Sequence, residues 1–487
     1  MKAEQGQLTL KKGDRLRVDI ESIIFGGEGL ARYKGFVIFV PFCVAGDEVS
    51  IEIDEVKKNF ARAHLIEVVE PSLSRVKPIC PHFFNLQKSR AASTSQEKSE
   101  YIFCGGCVLQ HMSYNQQLQA KTALVKEAVT YIGKLKNVTV HDIIGSKNEF
   151  SYRNKIQERV GVQFCGGEKK IICGFYAPES HRLVEINNCY LQPTVANEII
   201  ASLENMFNEY EIPSYDEEFH RGLLRHVIVR QSLTTRDVMV ILVTRDKDLP
   251  SGKELIERLV TDFPHVKSVV QNINKKKTNK ILGDHSRVLF GKEAIAEKIG
   301  HLAFRVSPSS FFQVNTQQAE ILYQVIEEFV IAGFTNQAKL IIDVFSGTGS
   351  ISLWMSRFAE KVYGIEVNEE AVRDAISSAE LNDINNCEFR LGDANLVLRR
   401  MKKQGLKPDI VIIDPPRKGC TRKLLDDIKA LNPKQIIYVS CEPTTLSRDL
   451  HYLDRLKYKT LEIQPVDMFP QTAHIECVAR LERKKTK

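Results

Sequence analysis

The second half of the chain alternates short apolar segments with helical segments, and this order restricts the folds that it can adopt. From Leu340 onward, apolar runs rich in β-branched residues (LIIDVF, VYGIEV, CEFRLGDA, IVIID, IIYVS) are separated by stretches with helical periodicity. Strands that alternate with helices form a parallel sheet with helices on its faces. The predicted fold class is therefore α/β, with a C-terminal doubly wound sheet of about seven strands.

Two of these apolar runs end at chemically reactive side chains. The sequence DPPR, which begins at Asp414, follows Val411–Ile413, and Cys441 follows Ile436–Val439 and one serine. Because ligands bind beyond the carboxyl ends of parallel strands, Asp414 and Cys441 are expected to face one crevice. A single cysteine is more often a small buried hydrophobic residue than a nucleophile. The position of Cys441 at a strand end, outside the apolar run, favours a catalytic role.

The first turn of the predicted sheet, FSGTGS, contains a G-x-G sequence that lets a ligand approach the backbone. It lacks the third glycine of the dinucleotide fingerprint, which argues against a pyrophosphate ligand. Glu366 ends the second strand about 20 residues later, where an acidic side chain binds ribose hydroxyls. Asp393 ends the third strand, and Asp343 precedes the glycines. These carboxylates suit a nucleoside that carries an amine, such as S-adenosylmethionine.

The N-terminal segment, from Lys12 to about Pro71, has the pattern of short alternating strands with glycine-containing turns between them. Four or five strands in so short a segment predict a small closed barrel of the oligonucleotide-binding type. A purely structural β module is the alternative. RNA binding is favoured by seven basic residues: Lys11, Lys12, Arg15, Arg17, Lys57, Lys58 and Arg62.

A cysteine cluster follows the predicted barrel. Cys80 is separated by the polar, serine-rich segment 87–100, which we expect to be a mobile loop, from the sequence CGGC at Cys104 to Cys107. Cys189 ends the later segment LVEINNC. Two thiolates separated by two small residues can bind one metal centre, and the spacing alone leaves zinc and an iron–sulfur cluster open.

The middle of the chain predicts an α+β domain. Residues 113–135 have helical spacing, and strands and turns follow. The segment RGLLRHVIVRQ brings Arg221, Arg225, His226 and Arg230 close together in sequence. They are interpreted as a solvated surface by default and as a track for phosphates in the more specific hypothesis.

The amino-acid composition limits where the protein can be located and which partners it can bind. Hydrophobic residues make up 43% and charged residues 26% of the chain, as in ordinary soluble proteins. There is no apolar run of membrane-spanning length and no apolar signal-peptide core at the N-terminus, so we expect a cytoplasmic monomer without membrane association. Eleven cysteines in that compartment are not a disulfide framework. The net charge is +7, and basic runs such as 275–277 favour a nucleic-acid partner only weakly.

With these motifs the chain resembles the RNA uracil-5-methyltransferase family, in the branch with an N-terminal TRAM barrel and a [4Fe-4S] cluster. The motifs that carry the resemblance are the cysteines, SPSSFFQVN, DVFSGTGS, DPPRKG, SCEPTTLSRD and DMFPQTAHIE. The resemblance implies methyl transfer from S-adenosylmethionine to C5 of a uridine in RNA, with 23S ribosomal RNA as the first expectation and transfer RNA as the second. It implies a TRAM domain at 1–71, an α+β domain with the cluster at 72–300 and a methyltransferase domain at 301–487.

The resemblance also assigns roles to individual residues. Cys441 would be the nucleophile and Glu476 the general base. The cofactor site would be formed by Gln313, Phe345, Glu366 and Asp414, together with Asp393 and Ser350. The cluster would be ligated by Cys80, Cys104, Cys107 and Cys189. The chain departs from the family pattern in the long gap after Cys80 and in having Ser346 where the family often has cysteine.

Two other functions are consistent with parts of the sequence. A DPP sequence also occurs in methyltransferases that act on adenine or cytosine nitrogen, but an aromatic residue follows the prolines there, whereas this chain has Arg417. That chemistry also leaves Cys441 without a role. The other alternative is a non-catalytic RNA-binding iron–sulfur assembly factor. The presence of Glu366, Asp414, Cys441 and Glu476 together argues against such a protein.

Overall fold

The computed structural model describes residues 10–89, 102–165, 167–333 and 337–484. Of the segment that was predicted to be a mobile loop, residues 90–100 lie outside these ranges. Contacts divide the chain into two compact units. The first comprises Met1–Leu124, Tyr176–Val184 and Phe469–His474, and the second comprises Val125–Phe175, Glu185–Met468 and Ile475–Lys487. The domain boundaries near residues 71 and 300 stay a prediction.

The first unit contains a closed barrel of five strands in the order β1-β2-β3-β5-β4. The strands are β1 (Arg15–Ile23), β2 (Gly29–Tyr33), β3 (Phe36–Val40), β4 (Glu48–Val56) and β5 (Phe60–Glu70). Alternate side chains, such as Val49, Ile51 and Ile53 of β4, point inward and are buried. This two-residue period is the one that the sequence showed, and the predicted barrel is confirmed.

The outward-facing basic residues of the barrel are paired with acidic ones. Arg15 contacts Glu52 at 2.8 Å across the β1–β4 pair, Arg17 contacts Glu48, and Arg62 contacts Glu28 at 2.5 Å. Exposed pairs of this kind add little stability, but they neutralise charge. The barrel strands are therefore less basic as a surface than the lysines and arginines alone suggested.

Helix α1 (Tyr114–Glu127) follows the cysteine segment and continues as a single π-helical stretch, Ala128–Ile132. It lies within the predicted helix at 113–135, which is confirmed.

A seven-stranded sheet forms the middle of the chain, in the order β13-β12-β11-β10-β7-β8-β9. Its strands are β7 (Lys155–Cys165), β8 (Glu168–Tyr176), β9 (Leu183–Glu185), β10 (Leu224–Gln231), β11 (Val238–Thr244), β12 (Val266–Ile273) and β13 (His285–Gly291). Helices α2 (Thr194–Glu209) and α3 (Gly252–Asp262) contribute to the same hydrophobic core. A hairpin of β14 (Ile295–Ile299) and β15 (Leu302–Val306) follows.

The C-terminal sheet has eight strands in the order β18-β17-β16-β19-β20-β22-β21-β6. They are β6 (Thr139–Val140), β16 (Ala338–Val344), β17 (Ala359–Glu366), β18 (Cys387–Leu391), β19 (Ile410–Ile413), β20 (Gln435–Ser440), β21 (Tyr458–Val466) and β22 (Glu476–Arg483). The accompanying helices are α4 (Thr316–Gly333), α5 (Ser350–Met355), α6 (Glu369–Leu381), α7 (Ala394–Lys403), α8 (Arg422–Leu431) and α9 (Pro443–Arg455). The predicted α/β class is confirmed.

The final strands depart from a purely parallel sheet. Strands β16 to β20 are parallel, whereas β22 runs antiparallel to both β20 and β21. An antiparallel strand begins where its parallel neighbours end. The first residue of β22, Glu476, is therefore brought to the carboxyl edge of the sheet.

Side chains at this edge also start the helices. Asn368, Asp393 and Glu442 follow β17, β18 and β20, and each accepts hydrogen bonds from backbone N–H groups in the first turn of the next helix. Such caps satisfy donors that a helix leaves unpaired, so each strand end passes into its helix by a short, fixed turn. Among the described residues, no helix is both long and apolar enough to cross a membrane.

Candidate active site

Cys441 and Glu476 come from neighbouring strands of the C-terminal sheet. Ser440 of β20 pairs with Cys477 of β22, so the next residue on β20, Cys441, continues toward Glu476. Cys441 is half-buried and Glu476 is 6% exposed. Asp414 follows β19, the parallel neighbour of β20, and its N–H donates to the Val344 carbonyl at 3.3 Å. The strand pairing therefore directs a thiol and two carboxyl groups to one edge of the sheet.

The three groups perturb each other electrostatically. Burial, together with the negative charges of Glu476 and Asp414, raises the pKa of Cys441 to about 12, and the Arg417 guanidinium opposes this shift. Burial and the charge of Asp414 raise the pKa of Glu476 well above its usual range, again against the effect of Arg417. Burial raises the pKa of Asp414 to about 6. Acids and nucleophiles with pKa values shifted together in one crevice are typical of catalytic sites.

The glycine turn lies at the end of β16. Phe345 has a φ of +68°, and Gly347 and Gly349 have φ values of +54° and +77°. A Cβ atom on Gly349 would lie 2.6 Å from the Phe389 ring, so this position requires glycine. The turn places backbone groups, rather than side chains, beside the strand end, as the sequence predicted for a ligand-binding turn.

Glu366 and Asp343 flank this turn. Glu366 accepts hydrogen bonds from the N–H groups of Gly347 (3.0 Å), Val367 (2.8 Å) and Asn368 (2.8 Å), so its carboxylate fixes the turn. Asp343 is fully buried and accepts a hydrogen bond from Ser352 at 2.6 Å, and burial raises its pKa to about 7.

Two buried polar atoms at this turn have no hydrogen-bond partner among the residues that the structure describes. They are the second carboxylate oxygen of Asp343 and the hydroxyl oxygen of Ser346. Buried polar groups are normally hydrogen-bonded, and unsatisfied ones point to a ligand or water. The residues at the turn therefore fit S-adenosylmethionine, whose amine and hydroxyl groups can bond to such atoms.

Gln313 lies in the loop that connects β15 to α4. Asn154 holds this loop: its side-chain NH₂ group donates to the Gln313 carbonyl (2.8 Å) and to the Thr316 hydroxyl (2.8 Å), and its backbone N–H donates to the Val314 carbonyl (2.8 Å). Arg230 donates to the Ser310 carbonyl at 2.6 Å. Sequence reasoning missed Asn154. The strand that follows it, KIQERVGVQFC, itself contains several polar residues, so the sequence held no signal that distinguished Asn154.

Ser350 and Asp393 have structural partners. The Ser350 hydroxyl and the Tyr323 hydroxyl are 2.7 Å apart, and Asp393 caps α7 by accepting from the Leu396 N–H at 3.2 Å. Asp393 is exposed. Their roles in cofactor binding stay predictions.

Helix α9 holds the loop that follows Asp414. The Asp449 carboxylate is buried and accepts from the Cys420 N–H and the Tyr438 hydroxyl, both at 2.7 Å. The Thr445 hydroxyl donates to the Arg417 carbonyl at 3.0 Å. The motif SCEPTTLSRD thus positions the DPPRKG loop, which was not evident from the sequence.

The cysteines that were predicted to ligate a metal do not form a preformed metal site among the described residues. Cys80, Cys104 and Cys107 belong to the first unit and Cys189 to the second. The Cys104 N–H donates to the His82 carbonyl (2.8 Å), and the Cys104 sulfur accepts from the Gly106 N–H (3.3 Å). Across the described ranges, no group of three or more His, Cys, Asp or Glu side chains could hold a metal ion. A predicted iron–sulfur site is therefore not supported by the side-chain arrangement.

The arginine-rich segment RGLLRHVIVRQ is largely interior, contrary to both interpretations of the sequence. Arg225 and Arg230 are 2% and 3% exposed and donate to backbone carbonyls. Burial, with the charges of Arg159 and Arg225, lowers the pKa of His226 to about 3. Both arginine side chains are buried, so they are not a surface track for phosphates, whereas Arg221, which precedes β10, is exposed.

The sheet order and the glycine turn are those of the class I methyltransferase fold, here preceded by a small closed barrel. A family model described as tRNA (Uracil-5-)-methyltransferase matches residues 113–484, and a TRAM domain model matches residues 10–66. The chain belongs to this family, and the predicted enzyme class, family and TRAM domain are confirmed, whereas the iron–sulfur branch and the 23S ribosomal RNA substrate stay predictions.

Relatives and a solved structure agree with this assignment. An uncharacterized RNA methyltransferase of Oceanobacillus iheyensis is 40% identical over 476 residues, which cover 98% of both chains. One of Caldanaerobacter subterraneus is 42% identical over 474 residues, which cover 97% of this chain and 99% of the relative. The Pyrococcus abyssi tRNA (uracil-54, C5)-methyltransferase, solved with S-adenosyl-L-homocysteine, matches with a TM-score of 0.72 and 27% identity, covering 96% of this chain and 99% of that one.

Proposed function

We propose that the protein methylates C5 of a uridine in folded RNA, with Cys441 as nucleophile and Glu476 as general base. The observation that supports this most directly is the pairing of β20 with β22, which directs a thiol and a buried carboxyl group to the same sheet edge. A thiol next to a desolvated acid suits attack on an electron-poor ring followed by proton removal.

The reaction needs both groups because C5 of uracil is a weak nucleophile. The Cys441 thiol gives up its proton to solvent, the thiolate sulfur forms a bond to C6, and the electrons of the C5–C6 double bond become an enolate that extends to O4. S-Adenosylmethionine, when bound, supplies an electrophilic methyl group on a sulfonium cation, to which C5 of the enolate forms a bond as the bond between sulfur and methyl breaks. Glu476 then takes the proton from C5, the electrons of that C–H bond restore the C5–C6 double bond, and the bond between Cys441 and C6 breaks to release the thiolate, which takes a proton back from solvent.

Proton positions in the free protein follow from the shifted pKa values. With a pKa of about 12, Cys441 is a thiol at neutral pH, and the raised pKa of Glu476 favours its protonated form. A positive charge close to Glu476, such as the sulfonium of bound S-adenosylmethionine, favours the ionised form of this carboxyl group over the protonated form. We therefore expect the ionised base to form only in the loaded site, with Arg417 as the cation already acting on both groups.

The uridine must leave its stack to reach the crevice, as for other enzymes that act on a base. The test is methylation of RNA transcripts with labelled S-adenosylmethionine, followed by nucleoside mass spectrometry. We expect 5-methyluridine from the native protein and none from Cys441→Ala, which has no thiol to form the enolate. A Cys441→Ala variant that folds and keeps substantial activity would contradict the proposal and reopen nitrogen methylation.

The RNA substrate is proposed from the resemblance as 23S ribosomal RNA. Transfer RNA is a second candidate, favoured by the match to the Pyrococcus abyssi enzyme that is named for uracil 54 of tRNA. Mass spectrometry of both RNA classes from a deletion strain separates the two, since 5-methyluridine should disappear from only one of them.

An iron–sulfur cluster bound in part by Cys104 and Cys107 is a further element of the proposal, and no step of the mechanism involves it. It is supported by the CGGC spacing and by the N–H group directed at the Cys104 sulfur, since such bonds are typical around cluster thiolates. Anaerobically purified protein should be brown and lose its colour in Cys104→Ser. Colourless protein with stoichiometric zinc would refute it.

A further inference from the structure

A loop between β12 and β13 of the central sheet presents lysines to solvent. We define it as the lysine loop, residues 274–281, with the sequence NKKKTNKI. Residues 275 to 280 are all exposed, whereas Asn274 is 2% exposed. From the sequence alone, this run was only weak support for a nucleic-acid partner.

A buried arginine holds the backbone of the lysine loop from beneath. The Arg225 guanidinium donates to the carbonyls of Asn274 (2.9 Å), Lys276 (2.8 Å) and Thr278 (3.2 Å), and it lies 4.3 Å from the centre of the Tyr215 ring. Burying a guanidinium is costly unless such bonds are made. An exposed loop with no function would not require this support.

Two buried asparagines fix the ends of the loop. The Asn274 side chain donates to the carbonyls of Lys280 (2.7 Å) and Ile281 (2.9 Å). The Asn272 side-chain oxygen Oδ1 accepts from the Gly283 N–H at 2.7 Å. A Cβ atom on Gly283 would lie 2.0 Å from the Ile273 carbonyl oxygen, so the close approach requires glycine. The loop therefore has a defined backbone.

The charge of the lysine loop is not balanced. In the described part of the chain, the acid that forms ion pairs with its four lysines is Asp284, which is 2.6 Å from Lys276 and 3.7 Å from Lys280. The Lys277 ammonium donates to the Glu218 carbonyl, and Lys275 has no acidic partner among the described residues. In the barrel, by contrast, Arg15, Arg17 and Arg62 each have their own glutamate.

We propose that the lysine loop binds phosphates of the RNA backbone. This proposal rests on the proposed function, because that function is the reason for taking RNA as the substrate. A fixed loop loses little conformational entropy on binding, which favours affinity. The loop contains no aromatic residue for base stacking, so its contacts would position the RNA without reading its sequence.

The test compares two double variants with the same change in charge. Lys275→Gln/Lys277→Gln alters the loop, and Lys402→Gln/Lys403→Gln alters exposed lysines at the end of α7. Binding of a fluorescent RNA hairpin with a loop uridine is measured by anisotropy at several salt concentrations. For the loop variant we expect Kd to rise on the order of tenfold and the slope of log Kd against log salt to fall by about 1.4 to 1.8, as for two lost phosphate contacts.

The control variant should retain the native slope, and both variants should retain the native affinity for S-adenosylhomocysteine. A loop variant that binds RNA no more weakly than the control would overturn the proposal. Turnover at saturating RNA separates this outcome from failure of the proposed function. If the native protein forms no 5-methyluridine in this assay, the proposed methylation at C5 is wrong. The salt dependence of RNA binding still tests the role of the loop in that case.

Arg225→Lys tests whether the rigidity of the loop matters, because it keeps the charge but lacks the planar guanidinium, whose two terminal nitrogens donate to the three carbonyls. We expect a several-fold higher Kd for the hairpin with the native salt slope. Thermal unfolding monitors whether the variant folds, and Asn274→Ala serves as the second variant if it does not. Native RNA affinity in a folded variant with a loosened loop would show that a fixed backbone is not needed.

Discussion

Glu366 and Glu476 both lie at the carboxyl edge of the C-terminal sheet, but their surroundings are opposite. Glu366 accepts three backbone hydrogen bonds from Gly347, Val367 and Asn368. Glu476 is buried next to another acid, and burial raises its pKa well above the usual range. The first environment stabilises a fixed carboxylate that shapes a turn. The second keeps an acid ready to exchange a proton, at a cost in stability.

The largest expected effect is that of replacing Glu476, the member of this pair that we propose as the base. In Glu476→Gln, addition and methyl transfer can still occur, but the C5 proton is not removed and elimination stalls. We expect turnover to fall by about 10² to 10⁴, and a methylated RNA–protein adduct to accumulate on denaturing electrophoresis. The adduct should be absent from Cys441→Ala. Normal turnover of Glu476→Gln without a trapped adduct would remove Glu476 from the role of base.

The next effect concerns the carboxylate that shapes the turn. Glu366→Gln replaces an acceptor of three N–H groups by an amide with one acceptor oxygen, and bonds to charged groups contribute about 1.5 to 3 kcal/mol. Calorimetry should show S-adenosylhomocysteine binding weakened by roughly tenfold or more. Glu369→Gln, at an exposed position in the first turn of α6, is the matched control and should bind normally. Equal affinities would show that the turn holds its shape without Glu366.

A smaller effect is expected at Asn154, which holds the loop that carries Gln313. Asn154→Ala leaves the Gln313 carbonyl and the Thr316 hydroxyl without their partner, and we expect the free energy of unfolding to fall by about 2 kcal/mol. Urea denaturation measures it. Asn148→Ala, which removes an exposed contact to Gln317, should cost less than about 0.5 kcal/mol. A similar cost for both variants would contradict the role of Asn154.

The smallest effect is a pH dependence of stability. The folded-state pKa of Glu476 is raised, so the native protein loses stability as pH rises through that pKa, whereas Glu476→Gln does not titrate there. The melting temperature of the variant should equal that of the native protein near pH 4 and exceed it by about 2 °C at pH 8. A pH-independent difference for Glu476→Gln would argue against a desolvated acid.

The positions at strand ends could be predicted because the geometry of a parallel sheet is local and repetitive. Apolar runs followed by Asp414 and Cys441 were enough to place both at one edge. Glu476 required the resemblance, because its place depends on β22 pairing antiparallel with β20, and nothing in the run HIECVARL specifies direction. The sequence predicted the barrel strands for the same reason as the sheet: their two-residue burial period is visible in the residues.

Polar side chains buried by long-range contacts could not be predicted. Asn154 and Gln313 are 159 residues apart in sequence, and Arg225 meets the lysine loop from a different strand. From the sequence, the arginines of RGLLRHVIVRQ have the composition of a surface, and only the sheet order shows that β10 is central. The cysteines show the opposite case, in which a pattern visible in the sequence predicted a site. Their spacing predicted a metal centre, but the described side chains do not form one on their own.

The antiparallel strand β22 also has a consequence for biosynthesis. The chain emerges from the ribosome N-terminus first, so the glycine turn, the DPPR loop and Cys441 all emerge before Glu476. Until β22 inserts between β20 and β21, the nascent sheet holds Cys441 without Glu476. With the roles that we propose for these two residues, the order of synthesis delays turnover until β22 is in place.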